Sequence, residues 1–161
     1  MTQSSPHSQL NRQSLGYFKP LFVSLPAPEW TDLPGFYQAE FTGPAWLRAI
    51  APPGLAIGGL GGWWGKELHA DGSGMNIVAR GGSLRRVLPV RFELGPSSLD
   101  GQPAILIRYP PDSRFPWPRV VDELRRLEAG CLLGLTFFNI GRLNELPMPF
   151  LLFHREKPNG L

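Results

Sequence analysis

Short apolar runs, some alternating with polar residues and some continuous, follow one another along most of this chain, separated by glycine-rich turns. In Val87 to Leu94, Leu88, Val90, Phe92 and Leu94 share one face, and Arg91 and Glu93 the other. A period of two describes a half-buried antiparallel strand. Pro89 lacks an amide proton, so an edge or a bulge is expected near the start of that strand. Pro103 to Tyr109 repeats the pattern, with Ile105, Ile107 and Tyr109 opposite Ala104, Leu106 and Arg108. Gly62 to His69 and Met75 to Arg80 flank Ala70-Asp71-Gly72-Ser73-Gly74, and Gly81-Gly82-Ser83 and Asp100-Gly101 mark further turns. Arg119 to Leu127 reads both ways, since Val120, Leu124 and Leu127 fit a helix while Val121-Asp122-Glu123-Leu124 fits a strand. Cys131 to Asn139 and Met148 to Glu156 are apolar on both faces, so each needs cover on both sides, from another segment or from a second copy. Strands at this spacing, with no helices alternating between them, predict a mainly β domain: an antiparallel meander closed into a barrel with one or two short helices. A barrel of about eight strands has an interior that side chains fill or that holds one small ligand.

Upstream, Leu15 to Leu25 has the apolar spacing of a short amphipathic turn and is expected to dock on the domain. Leu25 to Gly35 reads as loop, and Gly35 to Thr42 as either a strand or one helical turn. Pro44 to Ala51 reads as a short helix that Pro52-Pro53 ends, placed to close one end of a barrel. Between them and the strands lies Gly58 to Leu68, with five glycines around Trp63-Trp64. Neighbouring strand residues point to opposite faces, so one indole faces inward and the other outward. The glycines permit a barrel corner or a bulge.

Composition refines this picture. With 161 residues, one domain over 15–157 is expected, between a polar disordered tail (1–14) and a short C-terminal tail (158–161). Gly and Pro, 19 and 18, approach the level of disordered chains, but ten Phe and five Trp argue for a packed interior. The net charge of +3 is modest, and no basic stripe interleaves with aromatics, so no nucleic-acid partner is expected. Cys131 is the single cysteine, which excludes an intrachain disulfide, and its apolar neighbours favour a buried, inert thiol. The three histidines have no zinc-ligand spacing, and neither a metal nor a cofactor is expected. Ala49 to Trp64 is apolar but too short and too broken by Pro and Gly to span a bilayer. Met1 to Gly16 has no secretory pattern, and a cytoplasmic location is expected.

Trp64-Gly65-Lys66, the Ile107-Arg108-Tyr109 strand, Asp122-Glu123-Leu124-Arg125, Leu132-Leu133-Gly134 and the final Phe150-to-Arg155 strand occur in an order that resembles small bacterial lipocalin-like (calycin-type) domains. The nearest are uncharacterised families with a Gly-x-Trp-x-Gly segment followed by Trp-x-Gly-Lys. The resemblance covers roughly residues 58–156, with Gly62-Trp63-Trp64-Gly65 standing where the family has Gly-x-Trp-x-Gly. It implies a lipophilic ligand, or haem held through a histidine in one branch.

The candidate cavity wall is Trp63 or Trp64, Phe92, Ile105 or Ile107, and Phe137 or Phe138, with Arg108, Tyr109, Asp122, Arg125 and His154 as polar fixtures. Non-enzymatic binding of a small lipophilic molecule is the leading reading. An isomerase or cyclase on the same barrel would use Asp122 or Glu123 as general base and Arg108 or Tyr109 to stabilise an oxyanion. A third reading is a structural module, a homodimer through its doubly apolar strands. Set against these are plainer roles: Asp122, Glu123, Arg125 and Arg126 as a solvated ion-pair cluster, Arg108 as an outward strand residue, and His154 as a structural histidine. No nucleophile elbow, P-loop or dinucleotide fingerprint is present, and Trp63-Trp64 sits where a phosphate loop would need open amides.

Overall fold

The computed structural model describes residues 6–161. Eight strands, β1 (Gly35–Phe41), β2 (Trp63–Leu68), β3 (Ser73–Arg80), β4 (Ser83–Pro96), β5 (Pro103–Arg108), β6 (Val120–Glu128), β7 (Cys131–Phe138) and β8 (Met148–Arg155), form a closed barrel in chain order. Every neighbouring pair is antiparallel, and β8 closes on β1 from Phe36↔Arg155 to Phe41↔Phe150. The segment that fits both helix and strand is β6, because β5 and β7 supply hydrogen-bonding partners along both of its edges. Two α-helices accompany the barrel, α1 (Phe18–Ser24) and α2 (Ala45–Ile57). Among the described residues no helix is long and apolar enough to cross a membrane.

Two bulges decide which side chains enter the barrel. Trp63 pairs with Val78 and Gly65 with Ile77, so Trp64 is an extra residue on β2. Strict alternation would turn Lys66 away from the face that Trp63 occupies. The extra residue resets the parity, and Trp63, Lys66 and Leu68 all point inward. Leu88 is the second extra residue, between the pairs Met75↔Pro89 and Asn76↔Val87, and it takes a positive φ of 46°. The glycine expected to let the backbone pass close to another element is Gly65, where a Cβ would overlap the Tyr37 carbonyl of β1.

The interior holds one core, including Val90, Phe92, Ile105, Ile107, Leu124 and Leu152. A second core lies outside the wall, where Phe18 and Phe22 of α1 pack on Leu106, Leu133, Leu135 and Leu151. The cover that β7 and β8 need therefore comes from the chain itself and not from a second copy. Residues 6–12 add to it. They form a 3-10 turn in which Leu10 joins the outer core and Asn11 takes a 3.1 Å hydrogen bond from Thr42. This departs from the free tail expected over 1–14, of which residues 1–5 lie outside the described residues.

Helix α2 also departs from expectation by continuing through Pro52 and Pro53. Two amide protons are lost, but Leu47, Ala51 and Leu55 recur every four residues and lie on the barrel mouth. Burial of that face outweighs the lost helical hydrogen bonds. The far end is closed by the segment before β1, where Tyr37 donates to the Leu33 carbonyl (2.8 Å) and Trp30 packs on Phe92.

Arg125 holds α1 to the wall. Its guanidinium pairs with Asp100 at 2.7 Å, donates to the Phe22, Gln102 and Pro103 carbonyls, and lies over the Phe22 ring. The solvated cluster expected around it is corrected on this point: Asp122, Glu123 and Arg125 are buried, and only Arg126 is exposed. Glu123 spends its carboxylate on the Ser98 amide and hydroxyl. Arg125→Ala should cost about 3 kcal/mol in urea unfolding, the low end for breaking a buried pair because Asp100 keeps some contact with water. It should also open residues 18–24 to limited proteolysis. A loss below about 1 kcal/mol, the range of exposed pairs, would mean that the clamp is unimportant.

Candidate functional site

At the α2 end the interior is not filled. A cavity of about 300 Å³ lies between the barrel mouth and α2. Leu47, Ala51 and Leu55 of α2 form its lid, and Phe41, Leu60, Trp63, Phe138, Met148 and Phe150 form much of its wall. Phe150 takes this position because its ring lies over Gly134 of the neighbouring strand, where a Cβ would collide with it. Trp117, from the β5–β6 connection, packs on Tyr109 and ties down the C-terminal end of α2 by a 2.7 Å hydrogen bond to the Gly58 carbonyl.

A buried polar network underlies the cavity floor, to which Tyr109, Asp122 and Thr136 contribute directly. Lys66 has no exposed surface, and its Nζ donates to Asn76 Oδ1 (2.9 Å) and to the Tyr109 hydroxyl (3.0 Å), 3.4 Å from Asp122 Oδ2. Tyr109 donates to Asp122 Oδ2 (3.0 Å) and Thr136 to Oδ1 (2.8 Å). Asn76 is oriented by the Leu88 bulge, whose carbonyl accepts from its Nδ2 at 2.9 Å. Its Oδ1 is thereby left to accept from both Lys66 and Trp63 Nε1. No buried side-chain nitrogen or oxygen among the described residues lacks a partner. Burial holds the Lys66 ammonium below its usual pKa, and the adjacent Asp122 carboxylate opposes that shift. Burial, then Asp122, pushes the Tyr109 phenol well above its ordinary value, so it remains a hydroxyl donor.

Of the residues singled out in the sequence, Trp63, Tyr109, Asp122 and Phe138 meet at this cavity. The others lie elsewhere. Phe92, Ile105 and Ile107 face inward but belong to the filled part of the barrel. Phe137 faces the outer core, because it neighbours the inward Phe138 on one strand. Trp64 is the bulge residue and does not line the cavity. Arg108 is on the outer surface, paired with Glu93 at 2.5 Å, and Glu123 and Arg125 are on the outer wall. His154 lies at the far end, edge-on to Tyr37, beside a second depression of about 310 Å³. Arg108, Glu123 and His154 therefore cannot act in this cavity.

Thr136 completes the floor, Lys66 and Asn76 lie directly behind it, and all three were missed by the sequence reading. Leu68 shares the face of Lys66 by simple alternation, but that face is the inner one only because a bulge follows Trp63. Among the described residues one group of metal-ligand type gathers: His7, Glu128 and Cys131, with ligand atoms within 4.8 Å. Burial pushes the Cys131 thiol up to about 12, which keeps it a thiol and a poor ligand, and His7 contacts Glu128 at 2.7 Å.

No family model and no curated protein matches this sequence. A solved structure described as a protein from Thermomonospora curvata is similar, with a TM-score of 0.65 at 15% identity, covering 88% of this chain and 87% of that one. At that identity the similarity shows the fold alone.

Removing one partner of a buried pair leaves the other charge unpaired, which costs about 3–5 kcal/mol, whereas removing both is far milder. Asp122→Ala should therefore lose about 3–5 kcal/mol in urea unfolding. The double variant Lys66→Met with Asp122→Asn should lose much less than the sum of the losses of Lys66→Met and Asp122→Asn measured singly. Additive losses would show that the two charges are not coupled.

Proposed function

We propose that this chain is a lipocalin-like barrel that binds a small lipophilic molecule without transforming it. The observation that carries this reading is the cavity under α2, apolar on its lid and walls and polar only at its floor. Ligand pockets of soluble proteins have this make-up, with a few polar groups that orient the molecule. At about 300 Å³ the space stands at the lower end of small-molecule pockets, which run from roughly 300 to 1,000 Å³. The lid bears exposed apolar residues, Trp46, Ile50 and Ile57, so the entrance is greasy as well.

One observation favours the enzyme reading: Asp122 lines the cavity. An isomerase or cyclase would use it as the base. Stabilising an oxyanion, however, needs donors aimed at the substrate. Tyr109 donates to Asp122 instead, and Arg108 points away. Binding is therefore the better account. A structural module with a filled barrel is disfavoured by the open cavity.

N-phenyl-1-naphthylamine, a neutral fluorescent probe, should bind saturably at one site per chain. Ala51→Phe fills the cavity from the lid. It should abolish probe binding while changing stability by less than about 1–3 kcal/mol, the usual cost of overpacking a filled core. An intact protein that takes up no probe, or a variant that binds it unchanged, would overturn the reading.

A further inference from the structure

Resting on that reading, we infer that the ligand is a neutral alcohol, bound with its hydroxyl on Asp122, and that carboxylates are excluded. Five residues with nitrogen- or oxygen-bearing side chains line the cavity: Trp63, Tyr109, Trp117, Asp122 and Thr136. Four of them carry donors, and each donor is already engaged. Trp63 donates to Asn76, Trp117 to the Gly58 carbonyl, and Tyr109 and Thr136 to Asp122. Lys66 is spent in the same way on Asn76, Tyr109 and Asp122, and it does not line the cavity.

What remains is acceptor capacity. A carboxylate offers about four lone-pair sites. Asp122 Oδ2 takes Tyr109 and Lys66, whereas Oδ1 takes only Thr136, so one site on Oδ1 is unfilled. The Thr136 oxygen, having donated its proton, is an acceptor as well. A ligand head must therefore donate.

Charge selects among donors. Lys66 and Asp122 neutralise each other in a dry interior, so the floor carries no net charge for an ionic ligand to balance. A carboxylate would lie against Asp122, with no free donor on any lining side chain to receive it. An alkylammonium would donate but bring an uncompensated buried charge. A hydroxyl supplies the donor with no charge. Fatty acids, the common ligands of apolar cavities, are rejected by this floor.

The test is displacement of N-phenyl-1-naphthylamine from the full chain at neutral pH by 1-decanol, decanoate, decylamine and 1-methoxynonane. The alcohol should displace the probe at a concentration about thirtyfold lower than decanoate, within the range of a charge-assisted hydrogen bond. It should also outcompete the ammonium and the ether, which lacks a donor. Asp122→Asn places an amide donor on the floor and should reduce the alcohol-to-acid preference about tenfold. If that single variant is unfolded by circular dichroism, Lys66→Met with Asp122→Asn serves in its place, with the same expectation. Decanoate matching or beating 1-decanol would overturn the inference and leave the binding reading standing. So would equal displacement by all four. Failure of the native protein to bind the probe at all would overturn both.

Discussion

An ammonium group with no access to water has to be neutralised, and much of this barrel is arranged around that requirement for Lys66. Its charge is met by Asp122 on β6, four strands away in sequence, and the contact exists only because the sheet closes. The remaining protons of Lys66 fix Asn76 and Tyr109, Asn76 fixes Trp63, and Asp122 fixes Thr136. Each link spans different strands, so the network specifies barrel register as well as charge balance. Such a pair adds little net stability, but it strongly disfavours any arrangement that separates the partners.

The two bulges are the backbone counterpart of this network. The extra Trp64 brings Lys66 to the inside, and the extra Leu88 supplies the carbonyl that orients Asn76. The polar floor divides the interior into a far half packed with aliphatic and aromatic side chains and a mouth half left open beneath α2. Outside the wall, Arg125 does comparable work for α1, holding it by hydrogen bonds to the Phe22 carbonyl and to the loop around Asp100.

The architecture was legible in the sequence because alternation on β4 and β5 and the turn signals between strands are local patterns. The bend at Gly58 to Leu68 was legible for the same reason, since a glycine cluster beside paired tryptophans can serve few other purposes in a sheet. The site was legible only in part. Tyr109, Asp122, Trp63 and Phe138 were marked by type and position. The inward turn of Lys66, however, depends on a one-residue insertion that no local pattern announces. Arg125 looks like a surface charge because its cover is α1, roughly a hundred residues away in sequence, and Glu123 because its partner, Ser98, lies beyond the preceding strand. The passage of α2 through Pro52-Pro53 was illegible for a related reason: tertiary burial of Leu47, Ala51 and Leu55 overrides a strong local signal.

The central claim is that the space between α2 and the polar floor is a ligand site and not a packing defect. Methyl-resolved nuclear magnetic resonance during titration with 1-decanol tests it most directly. Saturable shifts should be confined to methyls bordering the cavity, those of Leu47, Leu55, Leu60, Thr136 and Met148, while Ile105 and Leu124 in the filled half and Leu133 and Leu135 in the outer core stay unmoved. Shifts that never saturate, or that fall on the outer core instead, would contradict the account.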